Sequence, residues 1–415
     1  MKKSALLILL ILGKSPTAHS EEKKNLIKDN KIIQKTGQTI KKTGEAVGEA
    51  VEKVSQTIAE PILNPKAARS HWFDFDPQIE SGEKKNINIL PLVVSSPERG
   101  FGLGLKFAQE SMFRKSDVLR IHTVQTLKNK SSYRLSYKLP PNLFKKAGGE
   151  LELGYENYGR FYYGVGNLSS KSDESEYVPE LFEARVPLLY GLTKNLSVGL
   201  SLNFQNWKII ETGSAGILRR DLPNLIGKEA SRLYTSSLLL RWDSRNSQTD
   251  PSQGLFLESA VEYSKKLLGS ETDFLRSTFE IRKFYPLFHR PERHVFAVRL
   301  FMDYKSGEVP FYLLPELGGI FFNRGLLEGR FRDTLALCGN WEYRFKIYER
   351  LHWAFFVDGG NVYSDYYRVN EANIKITGGT GMRYYVPPGN LLLARIDAGY
   401  SIDGLQIYLT FDHPF

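Results

Sequence analysis

Apolar and polar positions recur with two different periods along this chain, and the change between them divides it. Over residues 21–60, Ile33, Ile40, Val47 and Val54 return every seven residues, with Val51 and Ile58 four residues beyond the last two. That is a helical stripe, weakened by Gly37, Gly44 and Gly48 and stopped at Pro61. A Pro- and charge-rich linker follows at 61–85. From about Asn86 to Phe415 the period is two. Leu196, Val198, Leu200, Leu202 and Phe204 alternate with Ser197, Gly199, Ser201 and Asn203. Leu405, Ile407, Leu409 and Phe411 alternate with Gln406, Tyr408 and Thr410, and Leu255, Leu257, Val261 and Tyr263 with Glu258 and Glu262.

About 16 such segments can be placed, from 87–95 to 404–414, and several exceed the ~5–6 residues usual for soluble strands. They match the ~9–11 residues with which a tilted strand crosses a bilayer. An even strand number and tight turns such as Lys194-Asn195 and Pro388-Gly389-Asn390 predict an all-β fold: a 16-stranded antiparallel transmembrane β-barrel with lipid outside and a wet lumen. A soluble multi-sandwich is the competing architecture. Alternation then sorts the charges. Cys338, Asn340, Glu342 and Arg344 point inward while Leu337, Trp341, Tyr343 and Phe345 face lipid. Asp358, Arg395, Asp397, Arg241, Asp243, Arg276, Glu280 and Arg282 also point inward.

The N-terminus supplies an address. Lys2 and Lys3, the apolar run Ala5–Gly13, Pro16 and the small residues Ala18 and Ser20 read as a signal peptide over 1–20. Export and the barrel pattern together place the expected site of action in a bacterial outer membrane. No apolar run is long enough for a spanning helix, and the single cysteine, Cys338, excludes a disulfide framework and a cysteine zinc site. Net charge is +10, which suits acidic lipid headgroups or a set of solvated loops; an exported chain makes nucleic acid an improbable partner.

Catalytic signatures are missing. There is no HExxH, no GxSxG and no complete P-loop; Gly100-Phe-Gly102-Leu-Gly104 alternates as a strand does, and His289 and His294 only flank a turn. His122 is the one histidine placed for a lipid-facing hydrolase, without an assignable serine. No enzyme activity, cofactor or metal is expected.

The long connection 305–333 is more specific. Its apolar run, Pro310-Phe-Tyr-Leu-Leu-Pro315-Glu-Leu-Gly-Gly-Ile-Phe-Phe-Asn-Arg324-Gly325-Leu326, is ill suited to a free surface loop and is expected to fold back into the lumen. A buried Arg324 needs carboxylates, and Glu342 and Asp358 are its natural partners.

At these residues the chain resembles a family. Gly318-Gly319…Arg324-Gly325, Gly329-Arg330-Phe331-Arg332-Asp333, Glu342-Tyr343-Arg344-Phe345 and Phe356-Val357-Asp358-Gly359-Gly360 are similar to motifs of the Omp85 superfamily, the bacterial surface antigen D15 (BamA/TamA-like) barrels. Trp242-Asp243-Ser244-Arg245-Asn246…Pro251-Ser252-Gln253-Gly254 and Tyr163-Gly164-Val165-Gly166-Asn167 add to the match, which covers 86–415. The resemblance implies a sixth extracellular loop inside the lumen, with Arg324 and Gly325 at its tip and Glu342 and Asp358 as acceptors. It implies a barrel-closing C-terminal strand carrying Phe411 and Phe415. It also implies assistance to insertion or translocation of polypeptide, or of lipid, with membrane lipid and unfolded outer-membrane proteins as partners. Leu326 stands where the family has an aromatic. The roughly 65 residues before the barrel are too few for a periplasmic POTRA domain; residues 21–60 read as an amphipathic helical segment, open between a short coiled coil, a helix lying on the membrane, a helix ordered by a periplasmic partner and a linker with no specific role. A passive channel or surface binding protein is the alternative function.

Overall fold

The computed structural model describes residues 87–96, 100–114, 117–127, 130–139, 146–213, 216–228, 230–248, 250–288, 294–386, 392–411 and 413–415. The expected signal peptide, helical stripe and linker lie outside the described residues, as do His289 and the turn at Pro388-Gly389-Asn390.

The regular structure of the described residues is almost entirely strand. In order these are β1 (Ile87–Ser96), β2 (Gly100–Glu110), β3 (Val118–Thr126), β4 (Ser131–Lys138), β5 (Ala147–Glu156), β6 (Arg160–Tyr162) and β7 (Ser175–Gly191). Then come β8 (Leu196–Thr212), β9 (Ala230–Asp243), β10 (Gly254–Ser264), β11 (Phe274–Pro286), β12 (His294–Gly307), β13 (Glu316–Leu317) and β14 (Phe331–Arg332). The last five are β15 (Leu335–Lys346), β16 (Leu351–Tyr363), β17 (Lys375–Val386), β18 (Leu392–Ser401) and β19 (Gly404–Phe411).

Leaving aside the short β6, β13 and β14, sixteen strands remain, each antiparallel to the next in sequence. The ring returns from β19 to β1 where Leu409 stands opposite Ser95. The architecture is a 16-stranded antiparallel transmembrane β-barrel. Closure brings side by side the two edge strands that an open sheet would leave apart.

The alternation read from the sequence is the inside–outside alternation of this wall. Trp341, Phe355, Val357, Ile396, Tyr400, Leu405 and Ile407 are exposed on the outer face. Cys338, Asn340, Glu342, Arg344, Asp358, Arg395, Asp397, Arg241 and Glu280 are buried within. A charge facing lipid at mid-bilayer costs about 2–4 kcal/mol, so no other sorting holds in such a wall.

One end of the barrel carries tight turns such as 192–195, the other the long connections 157–174, 213–229 and 308–334. Under the long loops, Tyr162, Tyr177, Trp207, Leu233, Phe274, Phe311 and Tyr312 form an apolar cluster. Trp207 stacks on Tyr312 with centroids 4.6 Å apart.

At the short-turn end the last strand departs from expectation. The segment expected to run to 414 ends as β19 at Phe411, and Phe415 is not part of the closing strand. Instead Phe415 packs in the lumen on Phe284, Val295 and Ala297, inward residues of β11 and β12. Pro414 has no N–H to give a ladder, and these lumen-facing apolar side chains give the phenylalanine a dry site that the wall does not.

Candidate functional site: the luminal loop and its arginine

The connection 308–334 enters the barrel. β13 and β14 pair as a small hairpin base, Glu316 opposite Arg332 and Leu317 opposite Phe331. Gly318 and Gly319 then turn the chain with φ of +127° and +79°. A Cβ on Gly318 would lie 1.9 Å from the Leu327 carbonyl oxygen, so only glycine permits the turn. A single helical turn, Gly319–Phe322, delivers Asn323 and Arg324 to the wall.

Arg324 is 1% exposed, and Glu342 and Asp358 are wholly buried. Its Nε donates to Asp358 Oδ2 at 2.8 Å and its Nη2 to Asp358 Oδ1 at 2.8 Å, a two-pronged pair. The Arg324 backbone N–H adds a third bond to Asp358 Oδ2 at 3.0 Å. Nη1 donates to Glu342 Oε2, and the guanidinium lies 3.6 Å from the centroid of the Phe356 ring. The tip is tight because two glycines face each other. A Cβ on Gly325 would meet Thr377 Cγ2 at 2.3 Å, and one on Gly399 would meet the Arg324 carbonyl oxygen at 1.6 Å. Ser401 Oγ donates to the Gly325 carbonyl at 2.6 Å and Tyr408 Oη to the Leu326 carbonyl at 3.0 Å. Leu326, the residue after the tip glycine, is buried with Phe301, Leu317, Phe331, Ala336 and Val362.

Sequence reasoning named Arg324, Gly325, Glu342 and Asp358, and the structure brings all four together. It did not name the rest of the anchorage. Arg299 of β12 donates to Glu280 and, at 2.6 Å, to the Phe321 carbonyl. Asn340 Nδ2 and Cys338 Sγ donate to the Phe322 carbonyl at 2.9 and 2.6 Å. Arg330 reaches Asp403 Oδ2 at 2.8 Å and the Ser169 carbonyl at 3.0 Å. Arg332 reaches the Phe161 carbonyl at 2.7 Å, while its own carbonyl accepts the Gly166 N–H at 2.8 Å. Two motifs far apart in sequence, Tyr163–Asn167 and Gly329–Asp333, thus meet.

Glu342 is the hub of a longer chain. Its Oε2 accepts from Arg324 and from Arg383 Nη2 at 3.1 Å, its Oε1 from Arg344 Nε at 2.7 Å. Arg383 continues to Asp397 Oδ1 at 2.5 Å. Arg344 Nη2 donates to the Phe415 carbonyl oxygen at 3.3 Å, and its guanidinium lies 5.5 Å from the Phe415 ring centroid. Charged pairs therefore run from the loop tip to the C-terminal residues. Phe415 belongs to this luminal chain, whereas Phe411 ends the wall strand β19, paired with Ala394.

The tail is also held at the short-turn end. His413 Nε2 lies 2.9 Å from Asp250 Oδ1, and Tyr385 Oη donates to Asp250 Oδ2 at 2.5 Å. Burial and the nearby Arg344 cation push His413 down to about 4, so its ring is neutral near pH 7 and donates to the Asp250 carboxylate. Asp250 sits in the turn that carries Arg245 and Asn246. Arg245 forks onto Asp243 at 3.0 and 2.8 Å, and Asn246 Oδ1 accepts the N–H groups of Ser252 and Gln253. Gly254 closes that turn at φ +113°.

Cys338 is buried and its thiol is spent on the Phe322 carbonyl. Among the described residues no group of three or more His, Cys, Asp or Glu is placed to hold a metal ion. His122 stands opposite Lys106 and Arg134 on the neighbouring strands.

Comparison with known proteins bears on the fold and the family. No curated protein matches the chain in sequence. Among solved structures it is similar to BamA from Haemophilus ducreyi lacking POTRA domains 1-3, with 15% identity and a TM-score of 0.60, over 80% of this chain and 70% of that one. It is similar to CdiB from Escherichia coli at 12% identity and a TM-score of 0.58, over 78% of this chain and 62% of that one. CdiB from Acinetobacter baumannii gives 12%, 0.54, 78% and 59%. The chain thus spans less than two thirds of the CdiB structures it matches, and likenesses at these identities speak to the fold. The Omp85 superfamily domain matches residues 118–403, more than half of the chain; the protein belongs to the Omp85 superfamily.

Proposed function

We propose that this protein acts in a bacterial outer membrane, assisting unfolded outer-membrane polypeptides to insert into or cross the bilayer. The reading rests on one contrast. β1 and β2 share ten opposed residue pairs and β18 and β19 share eight, whereas among the described residues β19 and β1 are opposed only at Ser95 and Leu409. A wall with one weak seam opens there first, offering strand edges to an incoming chain. The luminal loop, anchored to β12, β15, β16, β17 and β18, keeps the rest of the wall in register while the seam parts. No catalytic step is required of the protein. The alternative, a passive pore, is opposed by the lumen itself, into which the loop and its apolar cluster are packed.

The test is to reconstitute the protein in liposomes and follow folding of a small unfolded barrel client. Wild type is expected to accelerate it. The double variant Ser95→Cys/Leu409→Cys, oxidised to staple the seam, should lose the acceleration and regain it on reduction. Equal acceleration by stapled and reduced protein, or none by folded wild type, overturns the reading.

A further inference from the structure

A groove of about 420 Å³ lies on the outer wall over β5, β7, β8 and β9, beside the short-turn end. Its walls are Leu139, Leu188, Tyr190, Val198 and Leu200, and its floor includes Gly149. Gly149 shares the outward parity of Leu151, and Leu188 leans across it, 2.9 Å from where a Cβ would stand. The volume is within the ~300–1,000 Å³ of small-molecule sites, yet the lining is apolar side chain and glycine. A ligand held there gains by burying hydrocarbon, and the surface it sits on faces lipid.

The mouth has the opposite character. Lys146 stands immediately before β5, and the turn joining β7 to β8 carries Lys194 and no carboxylate. Lys146 and Lys194 are exposed, and the Gly191 N–H donates to the Lys146 carbonyl at 2.9 Å, which ties the two turns side by side. Glu150 and Glu152, the nearest acids along β5, face inward, paired with Arg120 and Arg185. Tyr190, on the groove wall, is a half-exposed aromatic of the kind that settles at headgroup level. Cations at the rim and an apolar slot beneath them match one molecule of the surrounding bilayer.

We propose that this groove is a binding site for an anionic phospholipid, with one acyl chain along Gly149, Leu188 and Val198 and its phosphate held by Lys146 and Lys194. The site is independent of the seam and of the luminal arginine.

The experiment uses the full chain in phosphatidylcholine nanodiscs doped with phosphatidylglycerol bearing a diazirine on one acyl chain. Photolabelling should concentrate on Leu188, Tyr190, Val198 and Leu200. Lys146→Glu/Lys194→Glu should cut it well beyond the roughly 5-fold expected for one surface lysine. Val198→Trp, which fills the slot from the lipid-facing side, should abolish it with the lysines intact. Labelling spread evenly around the outer wall, or unchanged in both variants, overturns the site. A phosphatidylcholine probe that labels the same residues as strongly overturns the assignment to an anionic lipid.

Discussion

Arg324 sits where loss of one side chain leaves two carboxylates in a dry place. Glu342 retains Arg383 and Arg344, but Asp358 loses both side-chain bonds, so Arg324→Ala is expected to cost about 3–5 kcal/mol, as for a broken buried pair. Thermal unfolding in detergent should show it, together with protease cleavage within 316–330. Adding Asp358→Ala should cost less than the sum, because the unpaired charge is then gone. Gly399→Ala tests the same lock by shape. Its methyl would strike the Arg324 carbonyl, a backbone atom that cannot swing aside, and about 1–3 kcal/mol should be lost with every charge in place. Alternation along β15, β16 and β18 placed Glu342, Asp358 and Asp397 inside; it was silent on Gly399, since a glycine has no face to read.

At the scale of elements, the loop and the C-terminal tail are two insertions held by one charged chain. The tail responds to pH. His413 is held neutral, far below its ordinary value of 6.5, whereas a released histidine takes up its proton near that value. Tail docking is therefore at full strength above about pH 6.5, weakens as pH falls through that point, and the penalty is complete near pH 4. Hydrogen-exchange protection factors of the His413 and Phe415 amides, taken relative to the intrinsic rate at each pH, should fall over that interval, and His413→Gln should flatten the dependence. A wild-type protection factor that does not change between pH 7 and pH 4.5 would sink this account. The course of the tail was not legible in a sequence whose last segment alternates up to Phe411; the inward turn depends on Phe284, Val295 and Ala297, contributed by strands more than a hundred residues earlier.

For the whole molecule the balance lies between a strong wall and a weak seam. Fifteen neighbouring strand pairs form extended ladders, and the lumen is packed with a loop, so a planar bilayer holding the wild-type protein should show little ionic current. Removing residues 318–329 deletes Arg324 and the buried leucines at the tip, and should raise the current severalfold while outer-wall strands stay paired. A large steady current through wild type would instead favour the passive channel.

The period of two, the outward apolar face and the inward charges are properties of single strands. Each is set by lipid on one side and water or protein on the other, so sequence alone determined the barrel, its strand number and the sidedness of Glu342, Asp358 and Arg395. The apolar composition of 305–333 likewise compelled that loop to hide. What tertiary structure decided is which distant groups satisfy one another: Arg344 with Phe415, Arg330 with Asp403, Arg332 with Phe161, Asp250 with His413. Those partners are fixed by ring closure and by the depth to which loop and tail enter the lumen, and neither quantity is written in any local pattern of residues.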